Sequence, residues 1–405
     1  MKKKYLVIGA LALSHSMIRA QSTDSLYRKE LLNKTEITVL YNHYIQNGDH
    51  SAITGGTGTE KLTVYAPSIE LISTLKAKNT ITFKGGVDII TSASTDRIDF
   101  VMSSASLTDT RTYANLGYGR WFEKKDILVS LGTGFSIESA YTSIPVNLSL
   151  THTGKNRMRT YSVNLNLNFD DLRWGRLSRD HSRPVSLVYP VELRYREWYD
   201  TYIRDSYNLK LGVSQVINKR LIFGLYPELS YQKGLLATPY HRVYFTDGSE
   251  RVENMPNQRW KSSLGLRGNY FLGGRTIFKT GISVYKDDFG ILGIAFENET
   301  SLKVSDKVTL SPFFRIYHQE GSPFFASYAQ QDPLAKYYTS DYDLSTFNSY
   351  KAGLSLRYAP FIYIGKRAIF NEVNLRYAFY YRSNALMAHI LSLVMNLSFE
   401  GKSKK

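Results

Sequence analysis

Three closely spaced pairs of aspartates are candidates for metal chemistry in this sequence. They are Asp96 and Asp99, Asp287 and Asp288, and Asp341 and Asp343. Carboxylate oxygens are hard ligands that suit Ca²⁺, and each pair could offer two of them to one ion. Aspartate is also common in turns, because its side chain accepts hydrogen bonds from the nearby backbone. The pairs therefore predict either Ca²⁺ bound among loops or ordinary turn caps.

A hydrolytic site would need an acid and a base that converge on one point. The candidates, all in or beside predicted outer loops, are His241, His318, Asp332, Asp341 and Asp343. The sequence contains no H-E-x-x-H or G-x-S-x-G motif, and no Cys for a thiolate zinc site, an iron–sulfur cluster or a nucleophile. We therefore predict that the protein is not an enzyme and uses no cofactor, and we interpret these residues as solvated loop residues or partners of interfacial aromatic rings.

Two other features could suggest ligand binding. The stretch TGGTGTEK (54–61) superficially resembles a phosphate loop, but its Lys does not follow a Gly and no helix follows it. The chain carries 51 Lys and Arg against 35 Asp and Glu. These bases alternate with apolar residues and form no continuous tract with stacking aromatic residues, which argues against nucleic-acid binding. The four Arg of LRWGRLSRDHSR (172–183) could contact phosphates or an acidic ligand, or could belong to a solvated loop.

The elements that must position all these residues are strands. In TYSVNLNLNF (160–169), apolar side chains at the odd positions 161–169 alternate with Ser and Asn at the even positions 162–168. The same period of two recurs along the chain in stretches of about 10–14 residues, roughly twice the length of a strand in a soluble sandwich. Tilted membrane strands have this length and this alternation. We predict an all-β, single-domain, transmembrane antiparallel β-barrel.

The connections predict the strand count and the orientation. Short polar turns at 76–79, 123–126, 154–157, 218–220, 273–275, 305–307 and 365–367 alternate with longer connections, among them 92–110, 234–258 and 319–348. Counting between them gives about 16 strands, while 14 or 18 stay possible because the pairing within 171–201 is open. Since both ends of such a barrel lie in the periplasm, the short turns are expected there and the long connections outside. We also expect at least one of the connections 92–110 and 319–348 to fold into the barrel mouth.

The N-terminus predicts export. Lys2 to Lys4 form a basic region, Tyr5–Leu13 an apolar region, and Ile18–Ala20 a cleavage site. The predicted organisation is a signal peptide (1–20), a periplasmic segment (21–33), a barrel (34–400) and a basic tail (401–405). The expected location is the bacterial outer membrane. The expected partners are membrane lipid, lipopolysaccharide and the barrel-insertion machinery, with the oligomeric state open.

Several segments resemble one family of outer-membrane barrels, found widely in Bacteroidetes-type bacteria and known only as a domain of unknown function. The matching segments are 54–67, 88–106, 109–120, 234–245, 285–291 and 337–347. They extend across nearly the whole mature chain. The resemblance implies an outer-membrane barrel without an assigned activity or catalytic residues.

The more polar face of each strand is assigned to the lumen. This assignment gives ten bases and five acids as predicted lumen-lining residues: Lys84, Arg204, Lys210, Lys261, Arg267, Lys279, Arg315, Lys351, Arg357, Arg376, Asp88, Glu228, Glu297, Glu299 and Glu372. The leading hypothesis is a channel or transport barrel with weak anion preference. The alternatives are a structural or adhesion barrel with a filled lumen and partner-binding loops, in which these charges are ladders that brace the wall, and an outer-membrane hydrolase.

Overall fold

The computed structural model describes residues 33–92, 108–138, 142–172, 203–238, 241–365 and 367–400. The predicted signal peptide, most of the connections 92–110 and 172–202, and the basic tail lie outside the described residues. The strands in chain order are β1 (Lys34–Gly48), β2 (Leu62–Leu75), β3 (Asn79–Ser92), β4 (Thr108–Phe122), β5 (Ile127–Ile137), β6 (Thr142–Thr153), β7 (Arg159–Asp171), β8 (Ile203–Val216), β9 (Leu221–Gly234), β10 (Arg242–Tyr244), β11 (Glu250–Val252), β12 (Gln258–Gly273), β13 (Thr276–Asp287), β14 (Leu292–Lys303), β15 (Val308–Glu320), β16 (Phe347–Tyr358), β17 (Ile362–Ile364), β18 (Ala368–Arg382) and β19 (Leu386–Glu400).

Sixteen of these strands, all except the three-residue β10, β11 and β17, form one closed antiparallel barrel, which confirms the predicted fold and strand count. Each pairs with its neighbours along the chain, and β1 pairs with β19 as well as with β2. Strand β7 pairs directly with β8, from Arg159 opposite Gln215 to Asp171 opposite Ile203, so the wall is complete without a further strand between them. Within the described ranges, no helix is long and apolar enough to cross a membrane.

One end of the barrel carries tight turns, as the polar turn sequences predict. Lys76 and Ala77 have φ values of 50° and 54°, and Asp126 has 49°, so the chain reverses through left-handed residues. Gly273 and Gly274 make the same reversal between β12 and β13 with φ values of 113° and 61°. Glycine has no Cβ and adopts these angles without the steric cost that other residues meet.

The outer face of the barrel is apolar. Its side chains include Leu116, Leu131, Ile144 and Ile294, which are 51% to 59% exposed. Four aromatic rings on adjacent strands follow one another near the end opposite the tight turns: Phe169, Tyr207, Tyr231 and Trp260, with centroids 6.5, 6.2 and 4.6 Å apart. A soluble protein rarely exposes an apolar surface of this extent, whereas a lipid-facing wall requires it, with aromatic residues at the interfaces.

At the end opposite the tight turns, the longer connections pack together into a unit that we call the outer cap. It comprises residues 49–61, 235–238, 241–257, 288–291 and 321–346. One core cluster joins Ala237, Met255, Phe289, Ile291 and Leu344, and a second joins Val243, Phe245 and Tyr338. Burying one Val, Leu, Ile, Phe or Met side chain contributes about 1.5–3 kcal/mol to the free energy of folding. These clusters therefore hold the connections in one arrangement.

Candidate functional site

The inner face of the barrel is the candidate functional site. The ion pair between Arg376 on β18 and Glu299 on β14 passes over the two intervening strands, so these side chains lie on the concave side of the wall. Strand register then places their same-face neighbours with them. By this register, all fifteen residues predicted to line the lumen lie on the inner face.

The pair at Glu299 is the centre of a charge ladder. Its carboxylate accepts hydrogen bonds from Lys279 Nζ at 2.9 Å and from Arg376 at 2.7 Å. The Arg376 guanidinium also lies over the Phe313 ring, 3.5 Å from its centroid. This approach requires Gly353 on the strand between them, because a Cβ there would collide with the Phe313 ring and the Tyr377 carbonyl. The ladder therefore braces this part of the wall from within.

Further ion pairs repeat the pattern around the barrel. Lys210 lies 3.4 Å from Glu228, and Arg357 donates to Glu372 at 2.6 Å. Near the capped end, Arg111 lies 3.3 Å from Asp88, which is 2% exposed. The predicted acids are thus largely matched with bases, as the wall-ladder interpretation expects.

Other bases on the inner face contact aromatic rings. Arg267 lies over Tyr226 at 5.6 Å and Arg315 over Tyr317 at 5.3 Å. Arg315 is the register neighbour of Glu297 on one side and of Lys351 on the other. In the part of the chain that the structure describes, neither Arg267 nor Arg315 has a carboxylate within 4.0 Å. Arg267 and Glu297 are exposed to solvent, so space open to water lies beside them.

Several charged residues of the inner face lie outside the set predicted from the sequence. They include the bases Arg111, Arg259 and Arg382, and the acids Glu70, Asp170 and Asp287. Asp170 pairs with Arg204, and Asp287 pairs with Arg259. Among the residues named, thirteen bases and eight acids leave an excess of five positive charges.

The capped end closes over the inner face. Arg382, 6% exposed, donates to Asp343 Oδ1 at 2.5 Å and to the Tyr342 carbonyl at 2.9 Å, and it covers the Phe347 ring at 4.1 Å. Gln319 Nε2 donates to the carbonyls of Asp343 and Ser345. Segment 321–346 is therefore tied to the inner wall at the barrel mouth. The other predicted mouth segment, 92–110, falls almost wholly outside the described residues.

Removing the guanidinium at this anchor should loosen the segment. Arg382→Ala deletes the two hydrogen bonds that the cationic guanidinium donates to the segment. Their loss should cost ~2 kcal/mol or more and raise the open population of the segment ~30-fold. Trypsin cleavage after the exposed Lys336 in the folded protein measures this. Arg357→Ala is the matched control, because it breaks an inner-face pair without a cap contact. Equal cleavage rates for both variants would contradict the anchoring role.

The predicted aspartate pairs have different surroundings. Asp287 binds Arg259 and accepts from Tyr285 Oη at 2.6 Å, whereas Asp288 accepts from the Trp260 amide at 2.9 Å. Asp343 binds Arg382, and Asp341 Oδ1 accepts from the Asp343 amide. Neither pair turns both carboxylates toward one point. Asp96 and Asp99 lie outside the described residues.

The predicted hydrolytic candidates are only partly brought together. His241 Nδ1 lies 3.9 Å from Asp341 Oδ2, and both side chains belong to the outer cap. His318 bonds instead to Asn348, and Asp332 accepts from the Leu334 amide. Asp343 is engaged by Arg382. No solvated acid and base face each other among these five residues.

Glu253, which was not among the predicted candidates, lies beside His241 and Asp341 in the structure. Glu253 Oε1 lies 3.5 Å from His241 Nδ1, and the three ligand atoms of the cluster lie within 4.8 Å of one another. Burial raises the pKa of Glu253, but the charge of His241 and hydrogen bonds from Thr339 Oγ1 and the Thr238 amide outweigh it and hold the pKa at about 2. Glu253 is therefore a carboxylate at neutral pH.

The chain is similar to one protein family and to several outer-membrane barrels of known structure. A family model described as a protein of unknown function (DUF3570) matches residues 100–386. No curated protein matches. Similar solved structures include a bacterial polysaccharide outer membrane secretin, at 10% identity over 93% of this chain and 100% of that chain with a TM-score of 0.43. Pseudomonas aeruginosa OpdK with vanillate has 8% identity over 91% and 99% with a TM-score of 0.41. The translocator domain of NalP from Neisseria meningitidis has 10% identity over 98% and 95% with a TM-score of 0.37.

Proposed function

Since the chain belongs to the DUF3570 family, whose description assigns no activity, we propose from the geometry that it is an outer-membrane channel whose outer mouth is narrowed by a folded cap. The observation that carries the proposal is the closed sixteen-strand wall with an apolar outer face and a charged inner face. Barrels of 16 to 18 strands are wide enough to leave an aqueous channel after side chains are accommodated. The Bacteroidetes-type origin stays a prediction.

The inner face supports a wet lumen away from the cap. Arg267 and Glu297 are exposed there although they point toward the inside of the barrel. Near the cap, by contrast, the inner-face residues Asp88, Asp287 and Arg382 are buried. The lumen is therefore accessible to water from the tight-turn end and constricted at the capped end. The excess of basic groups supports anion preference in such a pore.

The test is single-channel conductance of the purified protein in a planar bilayer. We expect discrete steps of current as single channels open. Complete absence of conductance from correctly folded protein would instead favour the second candidate, a structural or adhesion barrel. The observation behind that candidate is the cap, because its two hydrophobic clusters and its bonds to the inner wall would suit a rigid platform for a partner.

Cysteine labelling tests which end of the barrel faces the outside of the cell. With the cap outside the cell, a cysteine introduced as Leu334→Cys should react with a membrane-impermeant maleimide on intact cells, because Leu334 is 91% exposed. A cysteine introduced as Lys219→Cys, in a tight turn, should react only after the outer membrane is opened. The wild-type chain has no Cys and gives the background. Labelling at 219 but not at 334 on intact cells would reverse the orientation.

A further inference from the structure

We propose that His241, Glu253 and Asp341 form a binding site for one divalent transition-metal ion, such as Zn²⁺, inside the outer cap. The three residues come from separate segments. His241 precedes β10, Glu253 follows β11, and Asp341 lies in the segment between β15 and β16. An ion held by all three would join two cap connections that are distant in sequence.

The distances favour metal ligands over a hydrogen-bonded cluster. Nδ1 of His241 lies 3.5 Å from Glu253 Oε1 and 3.9 Å from Asp341 Oδ2, whereas an N–H to O hydrogen bond needs 2.7–3.2 Å. Ligand bonds of 2.0–2.2 Å to a tetrahedral ion put neighbouring ligand atoms about 3.4 Å apart. The His–Glu separation already has this value. The separation between His241 and Asp341 needs a contraction of about 0.5 Å. The ligand oxygens of Glu253 and Asp341 lie within 4.8 Å of each other, so an ion would draw these two side chains together by up to about 1.4 Å.

The histidine supplies an independent observation. Its side chain is 9% exposed, and among the described residues Nδ1 has no hydrogen-bond partner. A buried ring nitrogen without a partner is costly, because it has given up its bonds to water. This nitrogen is directed at two carboxylate oxygens. A metal ion between them would displace any proton on this nitrogen and bind its lone pair.

The surroundings hold the ligands in place. Glu253 accepts from the Thr238 amide at 2.5 Å and from Thr339 Oγ1, and its own amide donates to the His241 carbonyl at 3.0 Å. Asp341 Oδ1 accepts a hydrogen bond from the Asp343 amide at 2.9 Å, and Asp341 Oδ2 lies 3.9 Å from His241 Nδ1. Bonds of this kind orient ligands and raise metal affinity.

The donor set indicates the class of metal. One imidazole with two carboxylates suits Zn²⁺ or a neighbouring transition ion, whereas Ca²⁺ and Mg²⁺ prefer oxygen ligands alone. Three protein ligands leave a fourth position for water. The site differs from the predicted Ca²⁺ pairs, of which it includes only Asp341. It does not depend on the channel proposal, because metal binding is measurable without a pore.

The test is calorimetric titration of Zn²⁺ into the full-length protein, folded in detergent and first treated with a chelator. Wild type should bind one ion per chain. His241→Ala and the near-isosteric Asp341→Asn should each weaken binding by at least the ~10–100-fold that loss of an outer-shell partner costs. His318→Ala and Asp332→Asn are matched controls in the outer end of β15 and the outer cap, and should bind as wild type.

Gel mobility before and after heating checks that each variant retains a folded barrel. The proposal is overturned if folded wild type shows no saturable Zn²⁺ binding. It is also overturned if both site variants bind as tightly as wild type, or if the His318 control loses binding equally. The first outcome would mean that the three residues form an ordinary ion-pair cluster.

Discussion

Replacing residues 321–346 by a short Gly-Ser turn should raise single-channel conductance about 5–10-fold, toward that of an uncapped sixteen-strand pore. Gln319 is the register partner of Phe347, so a short turn can join β15 to β16 without altering the wall. The deletion removes Leu344 and Tyr338 from the two cap clusters. The remaining cap connections should therefore lose their packing as well.

The control for this experiment shortens the chain at the other end. Replacing residues 359–367 by a short turn removes β17 and leaves the cap intact, so conductance should stay as in wild type. An unchanged conductance in the cap deletion would contradict a mouth closed by the cap. It would place the constriction deeper, within the charge ladders.

The second large effect concerns ion preference. Under a KCl gradient the wild-type reversal potential should lie toward that of Cl⁻, because the inner face carries about five excess positive charges in a low-dielectric wall. Changing Arg267 and Arg315 to Glu lowers this excess from five to one, and preference should then be nearly lost. The measurement belongs at or below 0.1 M KCl, where the Debye length is about 10 Å, since at 1 M it falls to about 3 Å.

Two lysines in tight turns give the matched control. Lys125→Glu with Lys307→Glu makes the same change in total charge but places it away from the inner face. This variant should keep the wild-type reversal potential. Cation preference in the wild-type protein would contradict the assignment of the lumen charge.

The sequence predicts the barrel because the pattern within each strand is enough to identify that strand. In β7, apolar residues at odd positions and Asn at even positions identify both the strand and its faces, and the structure pairs Asn164 with Lys210 and Asn166 with Asn208 on one face. Turn residues then separate the strands. Alternation and turns are local, so their interpretation does not depend on the rest of the fold.

Some inner-face charges escape this reasoning for identifiable reasons. Arg259 and Arg382 lie at the ends of β12 and β18, where the sequence does not distinguish a strand from a loop. Glu70 lies in β2, where both faces carry apolar residues, such as Val64 on one and Ile69 on the other. Alternation therefore does not show on which face of the strand such a residue lies.

The cap could not be predicted because its contacts are not local. His241 and Asp341 are 100 positions apart, and neither belongs to a recognisable metal motif. Tyr44 and Tyr380 lie near strand ends, as aromatic residues at a membrane interface do, but register places both on the inner face. Composition near a strand end does not reveal which way a ring points.

The pairing of β1 with β19 also makes closure of the barrel depend on two strands that are far apart in the sequence. Lys34 is the register partner of Glu400, and Gly48 of Leu386, so the two ends of the barrel sequence meet along the whole seam. Such contacts have the greatest possible sequence separation, which makes their formation slow. Until β19 pairs with them, β1 and β18 each keep an edge of unpaired backbone groups, which lipid cannot satisfy and which other chains can join. A barrel chain without the fifteen-residue strand β19 is therefore an open sheet, and the wall closes only when β1 and β19 are both in place.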